Sequence, residues 1–192
     1  HCANFKIKGS TITDINNSKG AIYIVRDPRN VVSSLAYHNQ ISINEATEFM
    51  KKNSWLIKNN KIPDTFVGSW KFNYNSWKNL NKKVLIIRYE DLLKDKKKTV
   101  IKVLEFLNHL KINIIFDDKK LNKTIETTEF ENMKKLEKTS GFDESVVNKK
   151  TGEFKPFFNL GPKNNWDKSL ETKNIKIIEE EFSSEMKELG YL

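Results

Sequence analysis

Residues 21–30 read Ala21-Ile22-Tyr23-Ile24-Val25-Arg26-Asp27-Pro28-Arg29-Asn30, and the joint inside this stretch decides the fold class. The first five form a continuous apolar run with β-branched residues, which predicts a strand buried on both faces. Asp27 then offers an N-cap and Pro28 a first helical residue, where a missing backbone N–H breaks no helical bond. Val31, Val32, Leu35 and Ala36 continue at helical spacing. The design recurs at Val84-Leu85-Ile86-Ile87, followed by Arg88-Tyr89-Glu90-Asp91-Leu92-Leu93. Buried strands alternating with helices imply an α/β protein with a parallel sheet. Ligands of such sheets sit beyond the carboxyl ends of the strands. Both strands end in arginine, Arg26 and Arg88, so cations line the rim where an anionic ligand would bind. Arg29, one turn away, is expected to face solvent.

Outward from these joints the signals vary in strength. Residues 1–20 are polar and read mostly as loop. Residues 43–60 carry Ala46, Phe49, Met50 and Leu56 on one helical face, with a break at Pro63-Asp64. A helix is predicted over 67–80, with Trp70, Tyr74 and Trp77 at spacings of four and three. Another covers 99–108 through Val100, Val103, Leu104 and Leu107. Residues 138–165, with Gly141, Gly152, Pro156, Gly161 and Pro162, read as an extended loop or lid. The end, 172–189, reads as one amphipathic helix carrying Ile175, Ile178, Phe182 and Met186. No repeat or low-complexity linker interrupts the chain, so residues 1–192 are read as a single domain.

Composition narrows the classes. The 192 residues are 38% hydrophobic and 11% aromatic, enough apolar material for a core and against disorder. One cysteine, Cys2, excludes an internal disulfide framework and a cysteine-cluster zinc site. No apolar run approaches the ~18 residues of a membrane span. The net charge of +9 rests on 34 basic residues, of which only Arg26, Arg29 and Arg88 are arginine. A lysine-rich surface serves solubility or marks the footprint of a polyanion such as nucleic acid. Scarce arginine gives each arginine position weight, because bidentate recognition of phosphate prefers the guanidinium fork.

The segment from Ala21 to His38, AIYIVRDPRNVVSSLAYH, resembles the nucleotide 3′-phosphate segment of sulfotransferases, which use 3′-phosphoadenosine 5′-phosphosulfate. A strand ends in Arg26, and Ser34 lies eight positions later. The resemblance continues in order: Gly68-Ser69-Trp70 with Trp77, then Arg88-Tyr89-Glu90-Asp91, then Glu105-Phe106-Leu107. Thr128, Phe130 and Met133 follow at the spacing of the family's adenine-flanking residues, and Phe157, Gly161 and Trp166 match its C-terminal glycine loop.

The resemblance implies a three-layer α/β fold, a parallel sheet flanked by helices, with nucleotide-binding P-loop-like architecture. It also implies that the first strand–loop–helix, with its phosphosulfate loop and catalytic lysine, lies upstream of His1, so that the domain is N-terminally incomplete and inactive alone. The implied activity is transfer of a sulfuryl group from 3′-phosphoadenosine 5′-phosphosulfate to a hydroxyl or amine acceptor, releasing adenosine 3′,5′-bisphosphate. His1 stands where the family has its general base; a terminal histidine of no catalytic meaning is the alternative. His38 and His109 are read as helix-end residues. The implied nucleotide ligands are Arg26, Ser34, Tyr89, Thr128, Phe130, Met133 and Gly161.

The chain departs from the family in two places. Asn159-Leu160-Gly161 replaces an Arg-Lys-Gly, which leaves Lys163 as the candidate cation for the 3′-phosphate or as one more solvated lysine. The family's dimer pattern after the loop tryptophan is not found. The expected partner is a small-molecule or glycan acceptor, with no nucleic acid and no membrane segment, in the cytoplasm, and no metal is required. A kinase-like phosphotransferase of related architecture and a basic nucleic-acid-binding domain remain as alternatives.

Overall fold

The computed structural model describes residues 1–57, 65–148 and 150–192, with the backbone alone at Ile7 and Ile57. In chain order the described elements begin with β1 (Lys6–Ile7) and β2 (Ser10–Thr11), then β3 (Gly20–Val25), α1 (Pro28–Asn39) and α2 (Ile43–Lys51). They continue with β4 (Leu56–Ile57), β5 (Thr65–Phe66), α3 (Trp70–Lys78), β6 (Lys83–Arg88), α4 (Tyr89–Lys94) and α5 (Lys96–His109). The last part holds α6 (Asp118–Thr127), α7 (Phe130–Ser140), β7 (Val146–Val147), β8 (Phe154–Lys155), α8 (Trp166–Ser169), α9 (Thr172–Glu181) and α10 (Ser183–Leu189).

The centre is the parallel pair β3 and β6, in register from Gly20 opposite Lys83 to Val25 opposite Arg88. The other described strands form short antiparallel hairpins. The α/β reading with a parallel sheet among helices therefore holds. Residues directly opposite each other share a face, so Tyr23 and Val25 line up with Ile86 and Arg88. That face packs on Tyr74 of α3 and Leu189 of α10. The main core lies beside it, where Val32 and Ala36 of α1 meet Ala46 and Met50 of α2. Ile178, Phe182 and Met186 close it from the C-terminal helices.

Burial corrects the reading of β3 as covered on both faces. Ile22 is 40% exposed and Ile24 56%, while Val25 between the strand and α1 is buried. The apolar run does specify a strand, but among the described residues helices cover only the Tyr23 side of it. Ile87, opposite Ile24, is buried because α5 follows closely on β6.

Caps set the helix boundaries. The Asp27 side chain accepts from the Arg29 N–H with Pro28 at the first turn of α1, as the sequence implies. Ser42 and Glu45 form a reciprocal capping box on α2. That helix stops at Lys51, short of the predicted extension toward residue 60, and Leu56 lies in a strand. The Pro63-Asp64 break and residues 58–60 fall outside the described residues. The helix predicted over 67–80 is shorter, because Gly68 has φ +68° and Ser69 caps through the Phe72 N–H. A Cβ at Gly68 would come within 2.8 Å of the Phe72 ring, so the turn needs glycine.

Three further differences matter for the site. The helices α6 and α7 were not anticipated, since their apolar faces are thin and only Leu121 of α6 is buried. The stretch 138–165 is not one extended loop: α7 runs to Ser140, a hairpin follows, and Gly161–Lys163 forms a 3₁₀ turn. The C-terminal helix is two, divided at Phe182, whose backbone leaves the helical path at φ −113° and ψ 17°. Phe182 is fully buried, with its ring 5.2 Å from that of Trp70, so packing in the core accompanies the break.

Candidate functional site

At the carboxyl end of β3 the structure opens a cavity of about 730 Å³. Arg26, Ser33, Ser34 and His38 line it from the strand end and α1, and Tyr89 from the end of β6. Phe130, Phe157, Phe158, Gly161 and Asn164 close it from the C-terminal third of the chain.

The three arginines have separate fates, and two of them correct the sequence reading. Arg88 is not a rim cation. Its guanidinium forks onto the Asp91 carboxylate at 3.0 and 2.7 Å and donates to the Leu189 carbonyl at 2.9 Å. Beside Arg88, the Asp91 carboxyl is held below the usual carboxylate range. Arg29 does not face solvent. It is 6% exposed, donates to both Asp27 oxygens, and reaches Glu179 at 2.6 Å and the Tyr191 carbonyl at 2.9 Å. Its guanidinium also lies 3.8 Å from the Trp166 ring centroid. Burial alone would lower the Arg29 pKa, but Asp27 and Glu179 more than offset it and leave the group firmly cationic.

Arg26 alone of the three turns to the cavity. Its guanidinium stacks 4.4 Å over the Tyr89 ring, and Nη2 donates to the Gly161 carbonyl at 3.1 Å. Its Nε is buried without a partner. Ser33 Oγ and Asn164 Oδ1 are in the same condition, and all three residues line this cavity. Buried polar atoms without a partner are uncommon, and these three gather on the wall of one cavity.

The surroundings hold these groups in place. The Asp27 N–H donates to Glu90 at 3.1 Å, and Glu90 accepts from the Tyr191 hydroxyl at 2.7 Å. The two strand ends are thereby tied to the C-terminus, and burial followed by Glu90 pushes the Tyr191 phenol far above its ordinary range. Trp166 N–H donates to Asn30 Oδ1 at 2.9 Å, which fastens the glycine turn to α1. Phe130 abuts Gly161 so closely that a Cβ there would fall 2.1 Å from its ring, and Gly161 has φ +50°. Across the aromatic wall, Glu137 of α7 accepts from the Ser145 hydroxyl and from the N–H groups of Phe157 and Phe158. Burial would raise its carboxyl, but these three bonds outweigh burial and hold it below the usual range.

The predicted site residues divide. Arg26, Ser34, Tyr89, Phe130 and Gly161 come together around the cavity. Thr128 is exposed at the end of α6, its hydroxyl donating to the Thr124 carbonyl. Met133 is half-buried on α7 and Lys163 is exposed in the 3₁₀ turn, and neither lines the cavity. His1 lies elsewhere, with Nε2 3.4 Å from Thr13 Oγ1 and its ring 5.8 Å from that of Trp77. Sequence reasoning passed over Asn164, Ser33, Glu137 and the cavity position of His38. The periodicity of α1 could have found the last, because His38 lies one turn beyond Ser34. Among the described residues no cluster of His, Cys, Asp and Glu could hold a metal ion.

Comparison with known proteins gives the same direction. A family model described as a sulfotransferase domain matches residues 15–190. Sulfotransferase 1E1 of Rattus norvegicus is 28% identical over 176 residues, which are 87% of this chain and 55% of that protein. A 3-alpha-hydroxysteroid sulfotransferase of Cavia porcellus is 32% identical over 90 residues, 45% of this chain and 30% of that one. A crystal structure of mouse sulfotransferase SULT7A1 complexed with PAP superposes with a TM-score of 0.59 at 23% identity, over 88% of this chain and 58% of the other, a likeness of fold. The chain thus spans about half the length or less of these curated relatives. With a family match over nearly its whole length and a cavity at the Arg26 strand end, the chain belongs to the sulfotransferase domain family.

Proposed function

We propose that residues 1–192 form one sulfotransferase domain whose cavity seats the adenosine 3′,5′-bisphosphate part of 3′-phosphoadenosine 5′-phosphosulfate. The observation that carries this reading is Arg26, with a buried, unpartnered Nε, stacked on Tyr89 at the strand end. A phosphate dianion supplies the acceptor that Arg26 Nε lacks and can accept from the exposed Ser34 hydroxyl beside it, and charge-assisted bonds of this kind are the strong ones. The Tyr89 and Phe130 rings offer apolar surface to the base beside it. The relatives named above include a hydroxysteroid sulfotransferase, and the solved neighbour carries PAP.

The reaction in this reading moves a sulfuryl group from the donor's phosphosulfate to an acceptor oxygen or nitrogen. The sulfur–oxygen bond to the bisphosphate breaks as the new bond forms, and the acceptor loses a proton. The contribution of this chain is positioning: Arg26 and Ser34 hold the 3′-phosphate, and the aromatic wall excludes water from the base. The imidazole of His1 takes the acceptor's proton in this reading, as the resemblance implies; its ring lies against Trp77 with Nε2 near Thr13 Oγ1. The acceptor is a small molecule or glycan with a hydroxyl or amine. No described helix is long and apolar enough to cross a membrane, and a cytoplasmic location forms part of the same proposal.

The test is calorimetric titration of the chain with adenosine 3′,5′-bisphosphate and adenosine 5′-monophosphate. The bisphosphate should bind far more tightly, and Arg26→Ala should remove the difference. Equal affinity for the two nucleotides would overturn the reading. Steep salt-dependent binding to any DNA, without nucleotide selectivity, would favour the basic-surface alternative.

A further inference from the structure

Asn164 carries more information than its neighbours in the turn. It is 5% exposed, and its Nδ2 donates to the Asn30 carbonyl at 2.8 Å and to Ser34 Oγ at 3.1 Å. A backbone carbonyl can only accept, so the Asn30 contact fixes which end of the amide is nitrogen. Two consequences follow. Ser34 Oγ already accepts from Asn164, which leaves its proton to be donated elsewhere. The opposite end, Oδ1, is buried in the cavity wall without a partner.

Oδ1 is an acceptor, and this limits the ligand. Arg26 Nε and the Ser34 hydroxyl call for an acceptor, which a phosphate provides. A fully ionised phosphate offers nothing to Oδ1, because it would set acceptor against acceptor. The ligand must therefore present an anion and a donor side by side. On adenosine 3′,5′-bisphosphate the donors are the exocyclic amine of the base and the ribose 2′-hydroxyl. Only the hydroxyl sits on the carbon next to the 3′-phosphate. Asn164 touches Ser34, so its oxygen lies at the phosphate end of the cavity and away from the base.

We propose that Asn164 recognises the ribose of the nucleotide, with Oδ1 accepting from the 2′-hydroxyl while Nδ2 turns the Ser34 hydroxyl toward the 3′-phosphate. The role makes the site selective for ribonucleotide over deoxyribonucleotide bisphosphates. It rests on the nucleotide reading of the cavity proposed above.

The experiment titrates the 192-residue chain with adenosine 3′,5′-bisphosphate and with its 2′-deoxy counterpart. The ribose form should bind roughly tenfold more tightly, the scale of one hydrogen bond whose loss strands a buried acceptor. In Asn164→Ala the ratio should fall to about one, which also separates the contact from any effect of sugar pucker. Should that variant fail to fold, Asn164→Leu, of nearly the same shape but with no acceptor, takes its place and should likewise bring the ratio to about one. A wild-type ratio near one, or a preference that survives in Asn164→Ala, overturns the role of Asn164 and leaves the nucleotide site standing. Failure of the wild-type chain to bind either bisphosphate overturns the nucleotide site, and this role with it.

Discussion

Arg26 and Arg29 stand three residues apart, one on each side of the Asp27-Pro28 joint, and the structure treats them in opposite ways. Around Arg29 the partners are Asp27, Glu179 and the Tyr191 carbonyl, with Trp166 beneath the guanidinium. Around Arg26 there is one carbonyl, one ring and a buried Nε with no partner. The first region is a lock that joins α1, α9 and the C-terminus. The second is a socket kept open by its own scaffold. The same residue type is thus paired within the fold at one position and turned toward a cavity at the other.

This contrast gives the largest expected effect. Arg29→Ala removes one partner of a buried ionic network and leaves Asp27 uncompensated, which should cost about 3–5 kcal/mol in denaturant unfolding. Arg26→Ala should leave the unfolding midpoint nearly unchanged, and a comparable loss in both variants would break the division between lock and socket. On nucleotide affinity, Arg26→Ala should weaken adenosine 3′,5′-bisphosphate by about 2–4 kcal/mol, the scale for a charged pair losing one member. Calorimetry on the folded variant reads this directly.

A smaller effect sharpens the socket's geometry. Gly161→Ala puts a methyl group against Phe130 at a backbone angle that L-residues rarely adopt, at a cost of about 1–3 kcal/mol. The ring must move, so binding of the base should weaken along with stability, and thermal melts with and without nucleotide separate the two. If Gly161→Ala binds as wild type, Phe130 does not form the wall. The smallest effect belongs to the Glu137 clamp on Phe157 and Phe158. Its carboxyl is depressed in the folded state, so the stabilisation is complete above the unfolded carboxylate pKa near 4.3 and is lost as pH falls through the folded value. Glu137→Gln should therefore lose about 1 kcal/mol at neutral pH and nothing at the acid extreme. A wild-type minus variant difference that instead grew with acid would contradict the clamp.

How much of this was legible beforehand varied with the kind of signal. The strands at 21–25 and 84–87 and the Asp27-Pro28 helix start are local: they depend on apolar runs, a cap and a fixed φ, all written in adjacent residues. The broken helix at Phe182 is not local, because no glycine or proline marks it and the buried ring meets Trp70 from a distant helix. The exposed Ile22 and Ile24 were hidden for the same reason, since a continuous apolar run cannot say which of its faces a helix will cover. Asn164 was invisible because asparagine in a turn is ordinary, and only its burial against Ser34 makes it informative.

The sequence by itself determined the α/β character, the parallel pair and the strand end at which the cavity opens. These follow from periodicity, capping and the preference of ligands for strand carboxyl ends. Tertiary structure alone decided which arginine is a lock and which a socket. A guanidinium has the same chemistry everywhere, and its role is set by partners such as Glu179 and Tyr191, which lie 150 or more residues along the chain and become neighbours only on folding.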